Sequence, residues 1–575
     1  MAWLSDWSKR IKLTIDSWYI DENLTDFPVL LTLVSGTNSA NVFNELVTVS
    51  GTKKIAITTD NGISQCYVEI ERWDWVAEEA NLWVKVPTIA SGVDTDLYLY
   101  YDSTKSDNTY YIGDSGDAVA RNVWDDNFVG VYHLNQEPLG GASYSIINSA
   151  AIANQGTPNF VETNAALNKT CDQSTAGGGP ASNAVDGDTG TYEHTSLGTD
   201  EWWKVDLGAI YEVKSIKMYK RSGYGDRPNY YYIQTADDYA FTTNVVNIIT
   251  ENNETSSGSW KTWDEDDFGT LSARYFRVYT HTNSQYLNIA EFQVISYNLS
   301  DGKIGKSNFF NGSDDYIDLG THSSLDSTTA LTYECIFKSS STAHTQYLIT
   351  KQNQGSSIYK CELHINSTGS VASNPYQGVT NANCNTDNGL AGYYLDGEWY
   401  YAATSIDVNN SDGKNRLYID GVLNVTSSNA LTAINSQSSI PVYIGEIYNP
   451  SGSSNMFGYI DEVRISDIGR SSAWIKATYY SLWDGLVTYE SEESIPTHYY
   501  DGYVTEEGSP VVRTVRLYYR NTGELIDETT SSGVGGYYYL TTTISGEHFI
   551  VAFDDDAGED YNALILDKLL PRGIE

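Results

Sequence analysis

Short apolar runs alternate with polar, turn-forming stretches along almost the whole chain. Up to about residue 126 they read RIKLTI, FPVLLTL, KIAITT, CYVEIERWDW, LWVKV and DLYLYYD, and beyond residue 330 the rhythm returns in LTYECIFK, EWYYAATSID, KNRLYIDGVL and PVYIGE. Side chains two apart share one face of a strand, so period-two patterning in runs this short predicts half-buried β-strands. No run approaches the ~20 apolar residues of a membrane-spanning helix, so no membrane insertion is expected. A chain of 575 residues, at about 150 residues per domain, suggests roughly four domains. The predicted class is all-β, a series of β-sandwiches and jelly rolls.

Composition supports this reading: 46 Tyr, 47 Gly and 14 Trp against three Met suit strands and turns. Charge changes the picture more. A formal net charge of −41 excludes nucleic acid or an anionic membrane surface as a partner, because phosphate binding needs clustered Lys and Arg. The five cysteines (Cys66, Cys171, Cys335, Cys361, Cys384) form no C-x-x-C pair, so neither a zinc site nor a dense disulfide framework is expected. Free buried thiols are expected instead, with Cys361 and Cys384 the one pair considered for a bridge. Trp73, Trp75, Trp83 and Trp124 sit at strand spacing and read as core, with a sugar platform as the alternative. The start, MAWLSDWSKRIKL, lacks a basic stretch followed by an apolar one, so no export signal is expected there.

Particular segments resemble known families. Residues 1–126, with DFPVLLTL, YVEIERWD, LWVKVP and DLYLYYD, resemble a domain of unknown function that precedes laminin-G-like modules in bacterial and viral surface proteins. NFVGVYHLNQEP resembles the first strand of a laminin-G-like (concanavalin A-like) jelly roll, yet its continuation, DGKIGKSNFFNGSDDYIDLG, starts only at residue 301. The jelly roll is therefore read as split, 127–160 plus 298–490. Between its parts, 161–297 carries ASNAVDGDTG, EWWKVDLGAIYEVKSIKMY, ARYFRVYT and LNIAEFQVIS, which resemble the discoidin β-barrel and, within it, the F-type, fucose-binding lectins. A surface loop tolerates such a guest when its termini lie close together. Residues 498–575 resemble prealbumin-like domains, and the ending FDDDAGEDYNALILDKLLP resembles the tails of phage structural proteins.

Two candidate sites fall in the inserted segment. Asn183, Asp186 and Asp188 lie within six residues around Gly187, an inventory that suits either an ordinary Asx turn or a hard cation bound by oxygen ligands. The lectin resemblance implies calcium, held by Asn183, Asp186 and Asp188, by the carbonyl of Thr191, and by Glu291 of AEFQV. The same resemblance implies a sugar site formed by His194, Arg221 and Arg227. Arg and His donate to sugar hydroxyls and aromatic rings cover the C–H face. The chain departs from the family here. Gly223 stands where F-type lectins place Asp, Arg227 comes one residue early, and Asp226 is the nearest substitute. A solvated loop histidine is the alternative for His194, and Tyr224 and Tyr230, Tyr231 and Tyr232 read as strand and core.

Asp314, Asp315 and Asp461 sit where some laminin-G-like domains bind calcium, and are also ordinary turn residues. GDSGD at 113–117 has no accompanying His and Asp segments of a serine protease, and the adjacent Asp461 and Glu462 would point to opposite faces of a strand. No enzyme is expected. Lectin-type modules, the absence of an export signal and the phage-like ending together lead to the expectation of a virion protein. It would be a tail fibre, tail tip or capsid-surface adhesin, made in the host cytoplasm and oligomeric. It would bind host surface glycans and other virion proteins. The alternatives are a purely structural decoration protein and a secreted, extracellular bacterial adhesin.

Overall fold

The computed structural model describes residues 3–5, 7–47, 51–136, 146–152, 154–160, 163–281, 284–296, 299–342, 344–353, 358–378, 380–386, 393–409, 411–448, 454–495, 498–554 and 563–573. The fold is all-β, and among the described residues the helical elements besides Ser472–Leu482 are short. Two compact units emerge, one of residues 1–114 with 483–575 and one of residues 115–482.

In the first unit the alternation of KRIKLTI buries Ile11, Leu13 and Ile15 on one side of Lys9–Ile15. This strand lies in the sheet Ile55–Thr59, Thr95–Tyr101, Lys9–Ile15, Val487–Ser494. A second sheet runs Leu24–Val34, Glu79–Ile89, Val68–Asp74, Ile112–Asp114. Val487 pairs with Ile15 and Glu492 with Ile11. Residues 487–490, read above with the jelly roll, therefore belong to the N-terminal sheet. Trp83 is buried and donates its indole N–H to Glu71, while Trp73 and Trp75 pack on Phe43. The C-terminal residues form three further small sheets, of three, two and four strands, with a core of Tyr500, Val515, Leu517, Leu540 and Ile550. Residues 555–562 of the phage-like ending lie outside the described residues.

The second unit holds a two-sheet jelly roll. One sheet contains Ala330–Lys338, Trp399–Asp407 and Phe457–Ser466; the other runs Cys384–Asn385, Val371–Ser373, Ile358–Ile365, Gln346–Asn353, Tyr443–Ile444, Tyr316–Asp318, Thr157–Asn159. Both sheets recruit strands from before residue 161: Phe128–Tyr132 pairs with Phe457–Ser466, and Thr157–Asn159 with Tyr316–Asp318. Trp124 is buried beside Phe128. Cys361 and Cys384 are buried, free thiols and form no bridge.

The strands from Thr163–Asn164 to Ile289–Ser296 build a separate barrel-like sheet system with its own core of Trp203, Val205, Ile216, Tyr231, Phe276 and Phe292. Its organising element is the 19-residue strand Trp202–Lys220. The first part pairs with Thr170–Gln173 and Ser272–Thr280, the last part with Trp260–Asp264 and Ile289–Ser296. Between these parts Gly208 adopts φ 87°, a left-handed conformation that glycine reaches without steric cost. The buried Trp203 donates its indole N–H to the Ala181 carbonyl at 3.0 Å. That bond fastens the short 3-10 turn Ala181–Ala184 to the core, and with it the start of the acidic loop.

Candidate functional site

The loop that follows is held by its own short polar side chains. Asp186 Oδ1 accepts from the Asp188 amide at 2.9 Å, Asp188 Oδ1 from the Gly190 amide at 2.8 Å, and Asp186 Oδ2 from the Thr191 hydroxyl at 2.7 Å. Asn183 Nδ2 donates to the Tyr192 carbonyl at 3.1 Å. Gly187, at φ 83°, lets the chain reverse and donates its amide to Glu291 Oε2 at 3.2 Å. The structure thus brings Asn183, Asp186, Asp188 and Thr191 together with Glu291, from a strand about a hundred residues later.

Glu291 is the informative member. It is fully buried, and its Oε1 accepts no hydrogen bond. Loss of hydration, reinforced by the negative charges of Asp186 and Asp188, pushes its carboxyl up to about 7, against the pull of the Gly187 amide. Among the described residues no Lys or Arg forms an ion pair with Asp186, Asp188 or Glu291. A buried carboxylate beside like charges is stable only with a compensating cation or a proton. An all-oxygen donor set short of positive charge fits a hard cation.

His194 stands at the end of this loop. Its amide donates to the Gly179 carbonyl at 3.2 Å, and its carbonyl accepts from the Gly177 amide at 2.7 Å. The close approach requires glycine: a Cβ on Gly177 would lie 2.4 Å from His194 Nδ1, and one on Gly179 would lie 2.1 Å from the Tyr192 carbonyl oxygen. Nδ1 is buried there without a partner. Burial, then the charges of Arg227 and Arg221, lowers the pKa of the ring, so the imidazole is neutral at pH 7.

Both predicted arginines converge on the same surface. The Arg221 guanidinium lies over Tyr192 at 3.8 Å and over Tyr224 at 4.2 Å; that of Arg227 lies over Tyr286 at 4.5 Å and Tyr224 at 4.9 Å. The His194 ring is 5.2 Å from that of Tyr286. Among the described residues neither arginine pairs with an acid, so tyrosine faces orient them and their donors stay available. Beside them Asn288 is fully buried with both side-chain polar atoms unpartnered, and its carbonyl accepts from the Arg221 amide at 3.0 Å. The chemistry on offer is a fork of charged donors, a neutral imidazole and three rings, which suits a compact polyhydroxyl ligand.

Sequence reasoning missed Tyr192, Tyr286 and Asn288 and set Tyr224 aside as a strand residue. Tyr192 had a signal, two positions before His194 and so on its face of an extended segment; Tyr286 had none. Tyr231 is core, as read. Gly223, at φ 83°, has open space where a side chain would project, and Asp226 is exposed. The acids considered elsewhere are engaged in turns and ion pairs. Asp315 Oδ2 accepts from the Asn311 amide, Asp314 from Asn311 Nδ2, and Asp461 Oδ2 from the Lys303 and Ile304 amides. Glu462 bonds to His133 and Arg464, and Asp114 of GDSGD pairs with Lys53.

Residues 183–278 match the family model of the NedA-like, galactose-binding domain. Residues 311–476 match that of the concanavalin A-like lectin/glucanases superfamily. Two segments of the chain are thus similar to a discoidin-like, galactose-binding domain and to a concanavalin A-like domain. No curated protein matches the chain. Among solved structures, it is similar to a Streptococcus pneumoniae fucose binding module, with 27% identity over 24% of this chain and 98% of that one and a TM-score of 0.21. It is also similar to a family 32 CBM from C. perfringens NanJ in complex with galactose, with 23% identity, 23% and 98% coverage and a TM-score of 0.21. Chitosan-binding module 1 from a Paenibacillus sp. IK-5 chitosanase/glucanase shows 30% identity, 23% and 99% coverage and a TM-score of 0.20.

Proposed function

We propose that the discoidin-like domain is a lectin site for a neutral sugar and that the chain is a virion-surface adhesin, of tail fibre, tail tip or capsid, that attaches to host surface glycans. The observation that carries the sugar reading is the convergence of His194, Arg221 and Arg227 on the rings of Tyr192, Tyr224 and Tyr286. The guanidiniums donate to ring hydroxyls, the neutral imidazole donates or accepts, and a tyrosine face covers the apolar side of the sugar. The match of 183–278 to galactose-binding domains supports this. The resemblance of the loop to fucose binders makes galactose and fucose the first termini to test.

Asn183, Asp186, Asp188, Thr191 and Glu291 would hold calcium. When bound, the ion supplies the positive charge that Glu291 lacks and stiffens the 183–191 loop. The loop residues themselves set the position of His194, through Asn183 and the Tyr192 carbonyl. The lectin-type modules and the phage-like C-terminal segment support the virion setting, where neighbouring virion proteins would hold several copies and supply avidity to weak single sites.

The test is a glycan array on the purified full chain, with calcium and with EDTA. Binding to galactose- or fucose-terminated glycans that Arg227→Ala removes is expected; no glycan bound in calcium overturns the reading.

A further inference from the structure

The long strand Trp202–Lys220 ends against its own pattern. Ile216, Met218 and Lys220 stand two apart and so share the core-facing side; the first two are buried apolar residues and the third carries an ammonium, yet is only 2% exposed. The next residue is Arg221, whose guanidinium lies over Tyr192 and Tyr224. Burial lowers the pKa of Lys220 against the pull of Glu254. Replacing a buried ion pair by apolar residues of similar volume is often neutral or stabilising, so cohesion alone does not account for a charge in line with Met218.

The contacts of the ammonium do account for it. Lys220 Nζ donates to the carbonyls of Gly225 at 2.8 Å, Pro228 at 3.0 Å and Glu254 at 2.9 Å, and pairs with the Glu254 carboxylate at 2.7 Å. Gly225 and Pro228 bracket Arg227 on the loop that also carries Arg221 and Tyr224. Glu254 belongs to a second loop, and its amide donates to the Asn229 carbonyl at 2.8 Å. The two loops meet without room for a side chain: a Cβ on Gly225 would lie 2.0 Å from the Thr255 carbonyl oxygen. One buried charge gathers carbonyls from both loops at a single point.

A buried amide holds the end of the same loop. Gln285, 5% exposed, accepts from the Asn229 and Tyr230 amides at 2.9 and 3.3 Å and donates to the Tyr230 and His281 carbonyls at 2.6 and 3.3 Å. Its neighbour in sequence is Tyr286, the ring beside Arg227. Within the loop the Tyr224 amide donates to the Arg221 carbonyl at 3.2 Å and the Arg227 amide to the Tyr224 carbonyl at 3.1 Å. A shift of residues 225–228 therefore carries Tyr224 and Arg227 with it. Hydrogen bonds to a sugar hydroxyl need donors placed within about 2.7–3.2 Å, so such a shift is felt in binding.

We propose that Lys220 is a positioning residue of the sugar site: without touching the ligand, its ammonium sets the separation of Arg221 and Arg227 by holding the Gly225 and Pro228 carbonyls. The proposal rests on the lectin reading of that site.

The test is made on the full chain with Lys220→Met, which keeps the stem and removes the ammonium. Hydrogen exchange is expected to quicken at least tenfold at the amides of Tyr224, Arg227 and Glu254 and to stay unchanged in the 183–191 loop. Affinity for galactose- or fucose-terminated glycans should fall about tenfold. In a double variant with Tyr286→Ala the two losses should overlap and stay well short of their hundredfold product, because both act through Arg227. Val205→Ala, in the core at the other end of the strand, should lower Tm while leaving affinity unchanged. Gly225→Ala, which pushes the loop off Thr255 with Lys220 intact, should reproduce the fast exchange and weak binding, and serves if Lys220→Met does not fold. Unchanged exchange in the 221–230 loop, or losses that multiply in the double variant, would overturn the role of Lys220. No glycan bound by the wild type would overturn the lectin reading instead, and the exchange result would still show whether Lys220 holds the loop.

Discussion

The backbone amide of Gly187 donates to Glu291 Oε2 at 3.2 Å, across 104 positions of sequence. It ties the acidic loop to the last strand of the discoidin-like domain and sets a buried carboxylate beside Asp186 and Asp188.

If a cation completes that group, removing the charge and removing the ligand are different experiments. Glu291→Gln relieves the buried charge, so the calcium-free variant is expected to melt no lower than wild type. The rise in Tm that calcium gives wild type, worth about 2.7 kcal/mol at a hundred times Kd, should vanish in the variant. Asp186→Ala should lose the same binding event by calorimetry. An undiminished calcium response in both variants would refute the ligand set.

The pH dependence has a definite sign. Glu291 titrates near 7 in the folded chain against 4.5 for the free side chain, and burial likewise lifts Glu193 to about 8. Between those values the folded state holds more protons than the unfolded one, so calcium-free stability should fall as pH rises from about 5 to 8. Calcium needs the ionised carboxylate, so its stabilising effect should grow over the same interval. Thermal melts at several pH values, with calcium and with EDTA, check both slopes.

For the sugar site, Tyr286→Ala is expected to cost about tenfold in glycan affinity, because it removes the ring under Arg227 and beside His194. His194 adds a separate signature. Its folded pKa is lowered, so its contribution is fully present above the ordinary histidine value and is lost as pH falls below it, where a third positive charge would face Arg221 and Arg227. Affinity measured between pH 8 and 5 should be flat and then decline, and the decline should be absent in His194→Gln.

Gly179→Ala tests the glycine run. Its new methyl group would lie 2.1 Å from the Tyr192 carbonyl, an overpacking that costs about 1–3 kcal/mol. A lower Tm together with weakened glycan binding is expected; Gly223→Ala, at φ 83° in the turn between Arg221 and Tyr224, should also lose stability, by backbone strain rather than by collision.

Strand rhythm made the all-β class legible, and motif spacing made the loop and its distant Glu291 legible, because turn chemistry is local and the family pattern carries the long-range pairing. The rings were less legible. Tyr192, Tyr224 and Tyr286 come from three separate segments, and a tyrosine in a strand-rich sequence looks the same in a core as under a guanidinium. Register decided the fate of Val487–Ser494, whose alternation announces a strand but not its partner.

That pairing has a consequence for synthesis. The edge of Lys9–Ile15 that Val487–Ser494 covers emerges from the ribosome hundreds of residues before its partner. At about 5–20 residues per second this amounts to roughly 25–95 s. Throughout that time the first sheet presents an unpaired row of amides and carbonyls, a template for wrong pairing. Folding of the N-terminal sheet is therefore completed after translation of the jelly roll and its guest. Nascent chains arrested before residue 487 should be prone to aggregation, whatever the stability of the finished protein.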